Sequence, residues 1–244
     1  MELPVPHTAG ILYPGYSAED DYPTLERLLG EDVRLPLVHT LMREDAHRVD
    51  ALLDVGSDEV LAEGARALGP VDSVIWACTS GSFVFGWSGA REQVEKLQAV
   101  TGLPTSSTSF AFVHAAALLG LRRVAVAATY PADVADRFVD FLRAGDLEVV
   151  RLSSRGIVTA AEVGTLGREQ VLAFAEANDD DAAEALLMPD TALHTAAWLE
   201  EIEQRLGKPV LTANQVSAWE ALRLAGAGLS REGLGTLFRS GAGR

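Results

Sequence analysis

Cysteine is almost absent from this chain: Cys78 is the only one in 244 residues. A lone thiol cannot close an internal disulfide, and it excludes a Cys-rich zinc site. Basic side chains are scarce as well. Twenty Lys and Arg stand against 35 Asp and Glu, a formal net charge of −15. That balance excludes broad nucleic-acid binding, which needs a Lys/Arg surplus for phosphate contacts, and it gives no long-range attraction for an anionic substrate. Any anion site must be built locally from amides and hydroxyls. No apolar run reaches the roughly eighteen residues that signal a membrane span. The opening MELPVPHTAG has no basic region followed by an apolar one, so with a single free thiol a cytoplasmic location is expected.

Cofactor signatures are missing too. The five histidines, His7, His39, His47, His114 and His194, show no metal-ligand spacing, and no metal is expected. There is no Walker loop, no GxSxG elbow and no glycine fingerprint after a strand. Chemistry by side chains alone, with no cofactor, is the expectation.

What the chain does have is alternation. Short apolar runs at Ala9 to Pro14, Arg34 to Thr40, Ser73 to Cys78, Thr105 to Thr108, Arg123 to Thr129, Glu148 to Leu152, Ala185 to Pro189 and Pro209 to Ala213 read as buried strands. Amphipathic stretches between them read as helices, clearest at Ser57 to Leu68, Ala90 to Thr101, Phe110 to Leu119, Ala132 to Ala144, Ala160 to Ala177, Thr195 to Leu206 and Val216 to Ala225. The pattern predicts an α/β fold of parallel sheets flanked by helices. It also repeats. VIWACTS at Val74 matches LLMPDTA at Leu186, and TGLPT at Thr101 matches LGKPV at Leu206, each pair just over a hundred residues apart. Two related halves follow, the first at residues 1–108 and 214–244, the second at 109–213.

In such halves Cys78 and Asp190 each end the third strand, where open parallel sheets bind ligands. Position alone fits two readings of Cys78: a small apolar core residue, or a thiol ionised by the N–H groups of Thr79-Ser80-Gly81-Ser82. Asp190 reads first as a helix N-cap and, as the alternative, as a general acid/base. Tyr130, at another strand end, packs or donates to a substrate carboxylate. Asn214 caps the following helix or touches ligand, and Ser17 and Thr191 are further candidates for substrate contact.

Taken together, GILYP at Gly10, WACTSGSF at Trp76, GLP at Gly102, LGLRRVAVAATYPADV from Leu119, SSRGI at Ser153, GKPVLTANQVSAWEALRLAG from Gly207 and GLGTLF at Gly233 resemble the aspartate/glutamate racemase superfamily, in its maleate cis-trans isomerase and arylmalonate decarboxylase branch. The resemblance covers nearly the whole chain. It implies two pseudo-symmetric flavodoxin-like halves, each a parallel four-stranded sheet, with a central crevice, no cofactor and a homo-oligomeric assembly. Cys78 matches the first of the two cysteines of the racemases, and Asp190 stands where the second would be. The branch implies that Cys78 is the nucleophile adding to a double bond, and that Thr79, Ser80 and Tyr130 hold a substrate carboxylate. Ser17 stands nearest to an Asn usual in maleate isomerases. The arrangement is the reverse of the decarboxylase one, which keeps its cysteine at the second position. The expected function is therefore isomerisation of a maleate-like cis-enedioate. Racemisation or decarboxylation through an enediolate, and a non-catalytic carboxylate-binding protein, are the alternatives.

Overall fold

A computed structural model describes residues 6–228 and 230–241. Residues 1–5, 229 and 242–244 of the expected first half lie outside the described residues. The first sheet is built from β1 (His7–Pro14), β2 (Val33–Arg34), β3 (Leu37–Thr40), β4 (Ser73–Trp76) and β5 (Thr105–Ser107). The second contains β6 (Arg123–Ala128), β7 (Glu148–Ser154), β8 (Ala185–Met188) and β9 (Val210–Thr212). Every strand pair is parallel. The second sheet runs β7-β6-β8-β9; the first runs β2-β1-β4-β5, with β3 also on β1. One order therefore serves both halves, with β4 equivalent to β8 and β5 to β9.

The edge strand expected from Arg34 to Thr40 is two pieces. Pro36 has no N–H to give the ladder, and the Leu35 N–H is taken by the Glu26 carboxylate at 2.8 Å. Only the Pro36 carbonyl still reaches β1, accepting from Ile11 N at 2.9 Å. The long helix expected from Ala160 to Ala177 is likewise broken, into Ala160–Gly164 and Arg168–Ala177. Its apolar pattern continues across Gly164 and Gly167, but glycine resists the helix interior. Helices at Asp21–Leu29, Val49–Val55, Ser80–Phe83 and Gly235–Arg239 carry patterns too short or too polar to have been read.

Side chains alternate across each sheet as the pleat requires. In and after β4, Ile75 and Ala77 enter a central core, while Val74, Trp76 and Cys78 pack on the outer face. In β8, Leu187 joins the same central core, while Leu186 and Met188 face a third cluster. The central core is shared by both sheets, and the helices Thr108–Leu118 and Ala213–Leu224 cross it. Thr108 and Ser217 bond at 2.6 Å where they meet. The second of these helices follows β9 but packs on the first sheet, where Ser73 Oγ donates to Ala221 O at 2.6 Å. No helix among the described residues is long and apolar enough to cross a membrane.

Candidate active site

Four strand ends point at one place. Tyr13 ends β1, Cys78 follows β4, Thr129 and Tyr130 follow β6, and Asp190 follows β8. Between them lies a cavity of about 30 Å³, walled by Tyr13, Ser17, Cys78, Ser80, Asp190 and Thr191, and bounded on one side by Met42 and by Glu44 to His47 of the loop after β3. An apolar cavity of about 150 Å³ takes up benzene. A four-carbon dicarboxylate has two more heavy atoms, so the wall must move to admit one.

The thiol is poorly supplied with donors. Cys78 is 5% exposed. Its Sγ accepts from Gly81 N at 3.3 Å and lies 3.8 Å from Ser80 Oγ. Burial pushes the thiol up to about 11, against the weaker opposing pull of those two groups, and the charge of Asp190 adds to the rise. The expected cradle of amides around a thiolate is therefore not what this strand end provides. In this site the sulfur keeps its proton at neutral pH.

Asp190, 4% exposed, is held from every side. Its Oδ2 accepts from Thr129 Oγ1, and its Oδ1 accepts from Ala192 N at 2.9 Å. The carbonyls on either side of it are held by two tyrosines from equivalent strand ends. Tyr130 donates to Pro189 O at 2.8 Å and Tyr13 donates to Thr191 O at 2.9 Å. Since the single Tyr13 proton goes to Thr191, the Ser17 hydroxyl donates to the phenol oxygen, at 2.7 Å. Burial raises both phenols above the ordinary tyrosine range, so both remain donors at neutral pH.

Of the residues expected to touch substrate, Ser17, Ser80 and Thr191 line the cavity. Thr79, Tyr130 and Asn214 do not. Thr79 is fully buried, with its carbonyl accepting from Ser109 Oγ at 2.8 Å. The Tyr130 phenol is spent on Pro189. Asn214 Nδ2 donates to Thr191 O at 3.0 Å and to Asp21 Oδ2 at 3.1 Å, bracing the Asp190 segment from behind. All three were placed by strand-end position and resemblance, which locate a backbone but not the direction of a committed donor.

Sequence reading passed over Tyr13, Thr129 and His47. A signal for Tyr13 existed: Tyr-Pro recurs at Tyr13-Pro14 and Tyr130-Pro131, the same dipeptide at equivalent strand ends. His47 sits in a loop without periodic pattern, and nothing local marks it.

The family model for arylmalonate decarboxylase matches residues 56–238. Over 166 residues the chain is 35% identical to an arylmalonate decarboxylase of Bordetella bronchiseptica, a match covering 66% of this chain and 68% of that protein. Over 173 residues it is 28% identical to a maleate isomerase of Nocardia farcinica, covering 68% of each. A solved maleate isomerase from Pseudomonas putida S16 superposes with a TM-score of 0.87 over 97% of this chain and 99% of that one. Their identity is 23%, which makes this a likeness of fold.

Proposed function

Because the chain belongs to the arylmalonate decarboxylase family, we propose that it is a cofactor-independent isomerase of a small carboxylate, acting through Cys78 on a maleate-like cis-enedioate. The observation that carries this reading is that Cys78 and Asp190, each just beyond an equivalent strand, line one cavity. In the cycle Asp190 takes the Cys78 proton and the sulfur adds to one alkene carbon. The proton goes to the neighbouring carbon, so an S–H bond and a π bond give way to a C–S and a C–H bond. Rotation about the new single bond follows. Asp190 then removes a proton from that carbon, the sulfur leaves, and proton return restores the thiol with the alkene in the trans form. Electrons balance without any co-reactant. The hydroxyl of Ser80 and the Thr191 segment, both on the cavity wall, hold the carboxylates.

A second reading is favoured by one observation: the buried, protonated state of Cys78 suits a proton donor as well as a masked nucleophile. In that reading an enediolate, formed by decarboxylation or proton removal, is quenched by the thiol. A panel of mono- and dicarboxylates followed by NMR in deuterated water separates the two. Isomerisation with a sulfur adduct seen by intact mass supports the first. Loss of carbon dioxide or alpha deuteration without an adduct supports the second. Cys78→Ala is expected to abolish turnover with the fold intact by circular dichroism. Full activity in that variant ends both readings, and saturable binding without turnover in the unaltered chain leaves a binding protein.

A further inference from the structure

The one basic side chain on the cavity wall takes no part in the cycle above. His47 is buried, and its Nε2 lies 4.0 Å from Asp190 Oδ2. The wall also carries Glu44, Asp45, Tyr13 and Cys78, but no lysine or arginine, so His47 is the one lining side chain able to hold positive charge. Its orientation is fixed. Nδ1 lies 2.9 Å from Ile157 O, and since a carbonyl only accepts, Nδ1 carries the hydrogen and Nε2 is left facing Asp190. The Tyr130 ring meets the imidazole edge-on at 4.9 Å.

The loop that delivers this ring comes from the first half and is fastened to the second. His47 N donates to Val158 O at 2.7 Å. The Asp45 carboxylate accepts from Ala160 N at 2.7 Å and Ala161 N at 3.0 Å. Undocking the loop from 157–161 to admit a substrate would therefore carry the imidazole away from Asp190, and docking would return it.

We propose that His47 is the positioning residue for Asp190: with substrate bound and the loop docked, it shares the proton that Asp190 moves between sulfur and carbon. This rests on the cysteine–aspartate reading above. A separation of 4.0 Å is too long for a direct hydrogen bond. A shift of about 1 Å, or one bridging water, closes it. The proton then resides on Oδ2 or Nε2 and is delivered from Asp190, so His47 ends each cycle unchanged. With a dianionic substrate bound beside a carboxylate, a neutralising partner is what the wall otherwise lacks.

The test uses His47→Gln, His47→Ala and Asp190→Asn in the full chain. His47→Gln is expected to lower kcat about 100-fold, the scale of a proton-transfer contribution, with KM changed by less than about three-fold and Tm nearly unchanged. Added imidazole is expected to restore part of the activity of His47→Ala. Unchanged kcat, or a loss confined to KM and Tm without imidazole rescue, overturns the proposal by making His47 a plug. The second arm needs no turnover. At fixed pH the nitrogen-15 resonance of His47 Nε2 is expected to move in Asp190→Asn, while that of Nδ1, held on Ile157, stays. An unmoved Nε2 resonance refutes the pairing. If the unaltered chain turns over none of the carboxylates, the enzymatic reading fails, and this spectroscopic arm still decides whether the two residues are coupled.

Discussion

The ends of β4 and β8 occupy equivalent places in two sheets of the same strand order, yet they are furnished in opposite ways. At β8, Asp190 accepts from Thr129 and Ala192, and the carbonyls beside it are held by Tyr13, Tyr130 and Asn214. At β4, Cys78 has one weak amide contact and a distant hydroxyl. The same topology thus makes one buried carboxylate held by several hydrogen bonds and one neutral sulfur packed beside Trp76. A sulfur in that state is inert until something removes its proton, and the carboxylate proposed to do so lines the same cavity. The difference between the halves is the proposed mechanism: reactivity is withheld on one side and supplied from the other.

Asp190→Asn strikes that difference hardest. Turnover is expected to fall on the order of 1,000-fold, as for loss of a general acid/base. The amide keeps the shape of the site but carries no charge and accepts no proton. Because the charge of Asp190 helps raise the Cys78 thiol towards its value of about 11, the thiol is expected to ionise at lower pH in this variant. Thiolate ultraviolet absorbance reads the shift without ambiguity, since the chain has a single cysteine. An unchanged thiol titration together with full turnover would show that the two strand ends work independently.

A second asymmetry lies in the scaffold, where the helices Thr108–Leu118 and Ala213–Leu224 cross. Glu220 is buried on the second; Ala115 stands at the equivalent place on the first. Burial works to raise the Glu220 carboxyl, but hydrogen bonds from His114 at 2.8 Å and from Arg223 at 2.8 and 3.0 Å outweigh it and hold the group down to about 2. In the unfolded chain a glutamate titrates near about 4.3. The stabilisation is therefore complete above that value and is lost as pH falls toward 2, and amounts to on the order of 3 kcal/mol. Glu220→Gln is expected to remove that part of the acid-induced loss, measured by denaturant unfolding between neutral pH and pH near 2. An acid profile parallel to that of the unaltered chain would mean that the buried pair adds nothing in this window.

How much of this was legible depends on what kind of interaction decides it. The buried strands were, because apolar runs such as Val74 to Ala77 and Leu186 to Met188 have no other stable place. So was the repeat, and with it the equivalence of Cys78 and Asp190. The state of the sulfur was not: whether four small residues after a strand offer their N–H groups to it depends on how the turn folds, and here the Gly81 amide alone reaches it squarely. Tyr130 and Asn214 were legible as residues near the strand ends, but the direction of their donors was not, since a donor's target is set by tertiary packing. His47 was invisible because its partners, Ile157 and Asp190, lie more than a hundred residues away.

The smallest effect tests whether the scaffold beneath these differences is truly the same. Gly102 and Gly207 end the helices that precede β5 and β9, with φ of 68° and 66°. Each donates its N–H back into its helix at 2.8 Å, to Gln98 O and Glu203 O. A Cβ at either position meets nothing within 4 Å, so Gly→Ala at each costs only the left-handed backbone, about 1–2 kcal/mol. Gly102→Ala and Gly207→Ala are therefore expected to lower Tm by the same few degrees. Equal losses would mean that the halves share one unfolding transition and one backbone plan, leaving the side chains at the strand ends as the whole of their divergence. A loss seen in only one variant would mean that its half unfolds first, and the contrast between Cys78 and Asp190 would then extend to the stability of the sheets that carry them.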